Sequence, residues 1–148
     1  MRNIYGEREA KLDNKGRVFV PADFRKILQT AEDQGMFLRK DLFEDCLVLY
    51  PAHAWEDEVA LYRSTTNRYS REDQQAVRQL IQGVHPLEID ASGRILIPKR
   101  YLEMAGITTD VRFSGLGQTI QIWDPERADQ QGMKEGDFKE HSGQLKTR

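Results

Sequence analysis

One cysteine, Cys46, stands among 148 residues, which excludes an internal disulfide and any zinc motif built on paired cysteines. Within the run CLVLY it reads as a packed small residue rather than a reactive thiol. No apolar run approaches the roughly 20 residues of a membrane helix, so no membrane is expected among its partners. The opening MRNIYGEREAKLD lacks the apolar stretch of a secretory signal, and the cytoplasm is the expected address. His53, His85 and His141 lie in unrelated contexts without metal-ligand spacing, and His85 before Pro86 reads as a turn residue. There is no G-x-x-x-x-G-K-[ST] loop, no H-E-x-x-H helix and no G-x-S-x-G elbow. Glu56-Asp57-Glu58 reads as a solvated helix face, and SGLGQ (Ser114 to Gln118) as a hairpin loop. Trp55, Tyr62 and Trp123 read as packing rather than a ligand cage. The expectation is a non-enzymatic protein without catalytic residues, metal or cofactor.

Positive charge is also in short supply. The net charge is −2 and the pI about 5.9. Residues 1–50 carry nine basic and nine acidic side chains, and residues 83–148 carry nine and ten. Any attraction for phosphate must therefore come from where the charges sit, not from their sum. With 39% hydrophobic and 31% charged residues the chain belongs to the folded, globular class. Its length allows one domain or two small intertwined halves.

What the chain does have is a phrase written twice. LDNKGRVFVP (Leu12 to Pro21) returns as IDASGRILIP (Ile89 to Pro98), with Asp13, Gly16, Arg17 and Pro21 repeated 77 positions later as Asp90, Gly93, Arg94 and Pro98. Gly6 and Gly83 extend the match. Each copy reads strand, turn, strand, short helix, strand, turn, strand. Val18-Phe19-Val20 and Ile95-Leu96-Ile97 are short apolar runs of the kind a strand covered on both faces shows. Pro21 and Pro98 stop each first hairpin, since proline cannot donate to a ladder. Phe24, Ile27 and Leu28 share a helical face, as do Tyr101, Leu102 and Met104, with Gly106 closing the second helix. A turn is expected after the first helix, in TAEDQG. Between the copies, Trp55, Val59 and Tyr62 line one helix. Ser70 caps a second, with Asp73 three residues on and Ala76, Val77, Leu80 and Ile81 as its stripe. Asp124 and Pro125 open a last helix. The predicted organisation is a first half over residues 1–51, a helical connection over 52–82, a second half with a short final helix over 83–131, and a mobile polar tail over 132–148.

Within D-x-x-G-R, Asp13 and Asp90 can accept backbone N–H groups two or three residues on, and Gly16 and Gly93 supply the positive φ that a tight hairpin demands. These four are turn-shaping residues. The arginine that follows has two readings. It staples the turn to its aspartate, an exposed pair worth about 0–1 kcal/mol, or it presents a planar bidentate donor to a ligand, which lysine would not replace. Asn14 and Lys15 enrich the first turn with groups that pair with base edges or phosphate, whereas Ala91 and Ser92 add little to the second. Arg25-Lys26 and Lys99-Arg100 form a phosphate-facing rim or ordinary solvated helix charges. Arg39-Lys40 decorates a hairpin loop beside Asp41.

MRNIYGEREAKLDNKGRVFVPADFRKIL, the strand ending CLVLYPAHAW, and the second pass GVHPLEIDASGRILIPKRYLEMAGI with IQIWDP together resemble the MraZ family over about residues 1–130. The resemblance implies a mostly β fold with packed helices (α+β), an AbrB-like double swapped-hairpin β-barrel made by two internal repeats. It implies a cytoplasmic, nucleoid-associated transcriptional regulator that forms ring-shaped homo-oligomers. Such a regulator binds double-stranded DNA at tandem promoter repeats and represses the division and cell-wall gene cluster. On that pattern the DNA-contact residue falls on Arg17, with Arg94 as its counterpart, followed by Lys15 and then Asn14. The second motif has no equivalent of Lys15, which sets its share of the contact apart. Two rival classes stay open: an AbrB-like antidote that binds a partner protein through its tail, and a small hydrolase or nuclease working through scattered carboxylates.

Overall fold

Valine and isoleucine at alternate positions build the centre of the fold. Val18, Val20, Ile95 and Ile97 point one way from their strands and are buried. Burying four such side chains contributes about 6–12 kcal/mol, comparable with the whole net stability of a domain. The inward face therefore fixes where these strands lie, and the outward face is left free.

The computed structural model describes residues 3–30 and 35–148. The chain runs β1 (Ile4–Lys11), β2 (Arg17–Phe19), α1 (Ala22–Thr30), β3 (Met36–Lys40), β4 (Leu47–Pro51), α2 (Ala52–Ser64) and α3 (Arg71–Gln82). It continues β5 (His85–Leu87), β6 (Arg94–Leu96), α4 (Lys99–Ala105), β7 (Asp110–Gly117), β8 (Ile120–Trp123), α5 (Pro125–Gln131) and α6 (Glu135–Leu145). The strand–strand–helix–strand–strand order thus occurs twice. The turn expected in TAEDQG falls largely on Ala31 to Gln34, outside the described residues. Segment 132–148 contains α6, which has no buried residue.

The repeat is legible in the pairing. A six-stranded antiparallel sheet has the order β1-β7-β8-β4-β3-β5, and β2 pairs with β6 in a separate two-stranded ribbon. Exchanging each strand for its counterpart in the other copy turns this order into itself. The first strand of each half pairs with the third strand of the other: β1 with β7 over eight residues, β5 with β3 over three. In the ribbon Val18 faces its own counterpart, Ile95. The ribbon is extended symmetrically, Val20 N–H donating to the Gly93 carbonyl at 3.0 Å and Ile97 N–H to the Gly16 carbonyl at 2.9 Å. Each motif strand is thus held by the turn of the other half.

Several expectations change, first the hairpin of each motif: β1 and β2 do not pair with each other, nor do β5 and β6, because each finds its partner in the other half. The architecture is mixed α+β with a mainly antiparallel sheet, but the sheet is not closed into a barrel: β1 and β5 are its two edges. The motif strands are covered on one face only, since Phe19 is 55% and Leu96 53% exposed. His85 lies in β5, not in a turn, and Pro86 is tolerated because β5 is an edge strand. Met104 faces water, while Tyr101 and Ala105, one turn apart, bury that face of α4. Arg39 is not loop decoration: its Nε donates to the Leu80 carbonyl at 3.1 Å, placing a cation at the C-terminal end of α3. Gly6 and Gly83 are not equivalent, one in β1 with φ 97 and the other ending α3 with φ −80.

Other expectations hold. Ser70 Oγ accepts Asp73 N–H, Asp124 Oδ2 accepts Arg127 N–H ahead of the Pro125 helix, and Gly106 ends α4 with φ 65. Cys46 is packed inside, where burial pushes its thiol up to about 12. Among the described residues no helix is long and apolar enough to cross a membrane.

Candidate functional site

The two D-x-x-G-R turns fold by the same bonds. In the first, Asp13 Oδ1 accepts the N–H of Lys15 and of Arg17, both at 2.9 Å, and Oδ2 accepts Arg17 Nε at 2.8 Å. Asp13 N–H donates to the Arg17 carbonyl and Gly16 N–H to the Asp13 carbonyl, which closes the loop. In the second, Asp90 Oδ1 accepts Ser92 and Arg94 N–H at 2.9 Å each, and Oδ2 accepts Arg94 Nε at 3.2 Å. Gly16 and Gly93 carry φ 87 and 91, which a side chain would strain.

These bonds set the acidity of the turns. The backbone N–H of Arg17, then that of Lys15 and the Arg17 guanidinium, hold the Asp13 carboxyl down at about 2. Asp90 is lowered too, first by the Arg94 backbone N–H and then by that of Ser92. Both carboxylates stay ionised and occupied at neutral pH.

The arginine of each turn is stapled to its own aspartate. Each uses Nε for the staple, which is one edge of the guanidinium. The Nη atoms of Arg17 make no hydrogen bond to any other described residue, and its side chain is 34% exposed. Arg94 is more restrained, at 27%: its guanidinium lies 5.8 Å from the Phe19 ring centroid, and Nη1 is 4.0 Å from Asp13 Oδ2. That last distance brings the second arginine to the first aspartate, so both turns belong to one site. A lysine has a single nitrogen and cannot hold the turn while presenting a second planar edge.

Register defines the outward face of the ribbon. Arg17 is opposite Leu96 and Phe19 opposite Arg94, so two cations and two apolar groups alternate on its corners. Asn14 and Lys15 are exposed on the first turn, and Ala91 and Ser92 on the second. Of the other basic pairs, Arg25 belongs to this site. Its Nη1 donates to the Val20 carbonyl at 3.2 Å, and a Cβ built on Gly93 would sit 2.5 Å from the same nitrogen. A residue of the first half thus backs the turn of the second. Lys26, Lys99 and Arg100 are exposed helix positions, with Arg100 lying over the Tyr101 ring.

The sequence pattern points to Arg17, Arg94, Asp13, Asp90, Gly16 and Gly93 and offers Arg25 only as part of a basic rim or as a solvated helix charge; it does not single out Phe19 or Leu96. The signal for these two was parity. Arg17 and Phe19, like Arg94 and Leu96, are two apart in a strand and must share a face.

Comparison with known proteins gives consistent relatives. A family model described as "MraZ protein, putative antitoxin-like" matches residues 4–78 and 80–148. The chain is 48% identical over 133 residues to the transcriptional regulator MraZ of Phocaeicola vulgatus, covering 90% of this chain and 86% of that protein. It is 44% identical over 138 residues to the protein of the same name from Bacteroides thetaiotaomicron, covering 93% and 88%. The protein of that name from Nitratidesulfovibrio vulgaris is 35% identical over 140 residues, covering 95% and 91%.

Proposed function

The chain belongs to the MraZ family, and on that premise we propose that it is a sequence-specific DNA-binding transcriptional regulator, a repressor of the division and cell-wall gene cluster. It binds tandem promoter repeats as a ring-shaped homo-oligomer, in the cytoplasm and on the nucleoid, without cofactor or catalysis. The two intertwined halves are AbrB-like units fused in one chain. Arg17 makes the principal base contact, Lys15 and Asn14 add phosphate and base-edge contacts beside it, and Arg94 positions the duplex.

The observation that carries this reading is the pair of arginines at one site, each stapled through Nε. Arginine recognises guanine O6 and N7, or a phosphate, through paired N–H donors, and a well-formed pair of this kind is worth about 1–3 kcal/mol of discrimination. The staple removes torsional freedom before binding, so less is lost when the contact forms.

Net negative charge is compatible with this reading. A single tip with two or three cations binds weakly. Several tips on one ring, each meeting its own repeat, gain by effective concentration, with avidity about 10²–10⁴ above single-site affinity. An acidic remainder meanwhile disfavours wrong DNA.

The test is a gel shift on the DNA upstream of the protein's own gene, read beside solution mass. Arg17→Ala is expected to weaken binding by at least about 100-fold, because the loss at each tip multiplies over the ring. Mass and circular dichroism should stay those of the wild type. If the variant binds as the wild type does, the assignment of Arg17 is wrong.

A second reading, a protein-interaction module, is favoured by α6. Phe138 and Leu145, seven residues apart on that helix, are both exposed. In that case shortening the chain before Lys134 abolishes capture of a partner protein and leaves DNA untouched.

A further inference from the structure

Phe19 and Leu96 have no task in the account so far. Both are more than half exposed at the ends of three-residue strands, each between two buried neighbours, Val18 and Val20 for Phe19 and Ile95 and Ile97 for Leu96. Single exposed apolar side chains are ordinary on a protein surface. These two differ in their setting. They sit opposite Arg94 and Arg17 respectively in the ribbon register, so whatever meets the two guanidiniums also meets them. Pairing across the ladder does not require them, since a threonine would suit a solvent-facing strand position as well.

The occupant must match cations at two corners and apolar groups at the other two. A second copy of this chain fits poorly. Seated face to face about a two-fold axis, it would bring the same arginines towards each other, and like charges across an interface are unfavourable. A duplex fits well. The major groove of B-DNA admits a two-stranded β-ribbon, and along its floor it presents guanine acceptors beside the C5 methyl groups of thymine.

We propose that the whole outward face of the β2–β6 ribbon, and not its turns alone, docks in the major groove, with Phe19 and Leu96 as specificity-determining residues that cover thymine methyl groups next to the bases or phosphates held by Arg17 and Arg94. This rests on the DNA-binding reading above. Phe19 carries the larger share, because its ring is broader than the Leu96 side chain and also flanks the Arg94 guanidinium at 5.8 Å.

The experiment compares two duplexes of the segment upstream of the protein's own gene, one with thymine and one with deoxyuridine throughout, which removes only the methyl groups. Wild type is expected to bind the deoxyuridine duplex at least about 3–10-fold more weakly, the scale of one or two buried methyl groups at a single tip, and more where several tips engage. Phe19→Ala should bind the thymine duplex more weakly by a similar factor and no longer distinguish the two. Leu96→Ala should lose part of the discrimination, and Phe19→Leu should keep most of it. Equal binding of both duplexes by wild type, or undiminished discrimination by Phe19→Ala, overturns the inference and leaves the DNA-binding reading standing. Wild type that binds neither duplex overturns both. A solution mass that falls on Phe19→Ala places a second copy on this face and overturns the inference as well.

Discussion

The two motif turns share every backbone bond yet differ in what surrounds them, and the difference separates shaping from contact. In the first turn Gly16 packs against the Ile97 carbonyl, Asn14 and Lys15 reach into solvent, and Arg17 keeps its Nη edge clear. In the second, Gly93 packs against the guanidinium end of Arg25, the exposed residues are Ala91 and Ser92, and Arg94 is flanked by Phe19 and Asp13. The sheet is uneven in the same sense, with eight residue pairs between β1 and β7 against three between β5 and β3. What both turns keep is the scaffold: Asp, Gly and the Nε staple. Where they diverge, the first turn exposes an amide and an ammonium and the second a methyl and a hydroxyl.

The largest effect that sharpens this contrast is on stability. A Cβ on Gly16 would lie 2.8 Å from the Ile97 carbonyl oxygen, which is backbone and cannot swing away. Together with its positive φ, Gly16→Ala is expected to cost about 3 kcal/mol or more. Gly93→Ala pays the same conformational strain, but its 2.5 Å neighbour is a guanidinium that can rotate, so about 1–2 kcal/mol is expected. Urea midpoints at matched protein concentration measure both. Equal losses would remove the proposed inequality between the turns.

Next in size is an exchange of turn chemistry. Asn14→Ala with Lys15→Ser gives the first turn the composition of the second. It should weaken operator binding by about 3–10-fold and lower the salt slope by about one per tip. Ala91→Asn with Ser92→Lys should strengthen it. If neither pair changes a salt-dependent titration, the richer first turn is ornament.

The smallest effect is an acid titration. The Asp13 carboxyl is held at about 2 against an ordinary 3.8, so the stability it contributes is complete above about pH 4 and disappears as pH falls through about 2. Asp90 is lowered and has the same sign. Carboxyl carbon shifts should place the Asp13 midpoint near 2. A midpoint near 3.8 would mean that the paired N–H bonds are not kept in solution.

Much of this is legible in the amino-acid sequence. The 77-residue offset from Asp13 to Asp90 announced two copies of one unit, and D-x-x-G-R carried its own turn chemistry. Strand partners were less accessible. Nothing local in IYGEREAK says that it pairs with β7 and not with β2, because that choice is made by which faces are left uncovered when both halves are present. Phe19 and Leu96 were hidden for a different reason. A run of three apolar residues does not reveal its period, so an outward-facing middle residue reads as core. Arg25 is visible as half of a basic pair, but its place behind Gly93 was hidden by distance, since a helix residue of one half meets the other half's glycine only in the folded chain.

The central claim is that one guanidinium does two things at once, holding the turn through Nε and offering its Nη edge to DNA. Arg17→Lys tests it most directly, because it keeps the charge and removes the second edge. Titrated against the upstream duplex beside wild type, with solution mass and circular dichroism unchanged, the variant is predicted to lose at least about tenfold in affinity and most of its preference over unrelated DNA. Wild-type affinity and preference in Arg17→Lys would contradict the account.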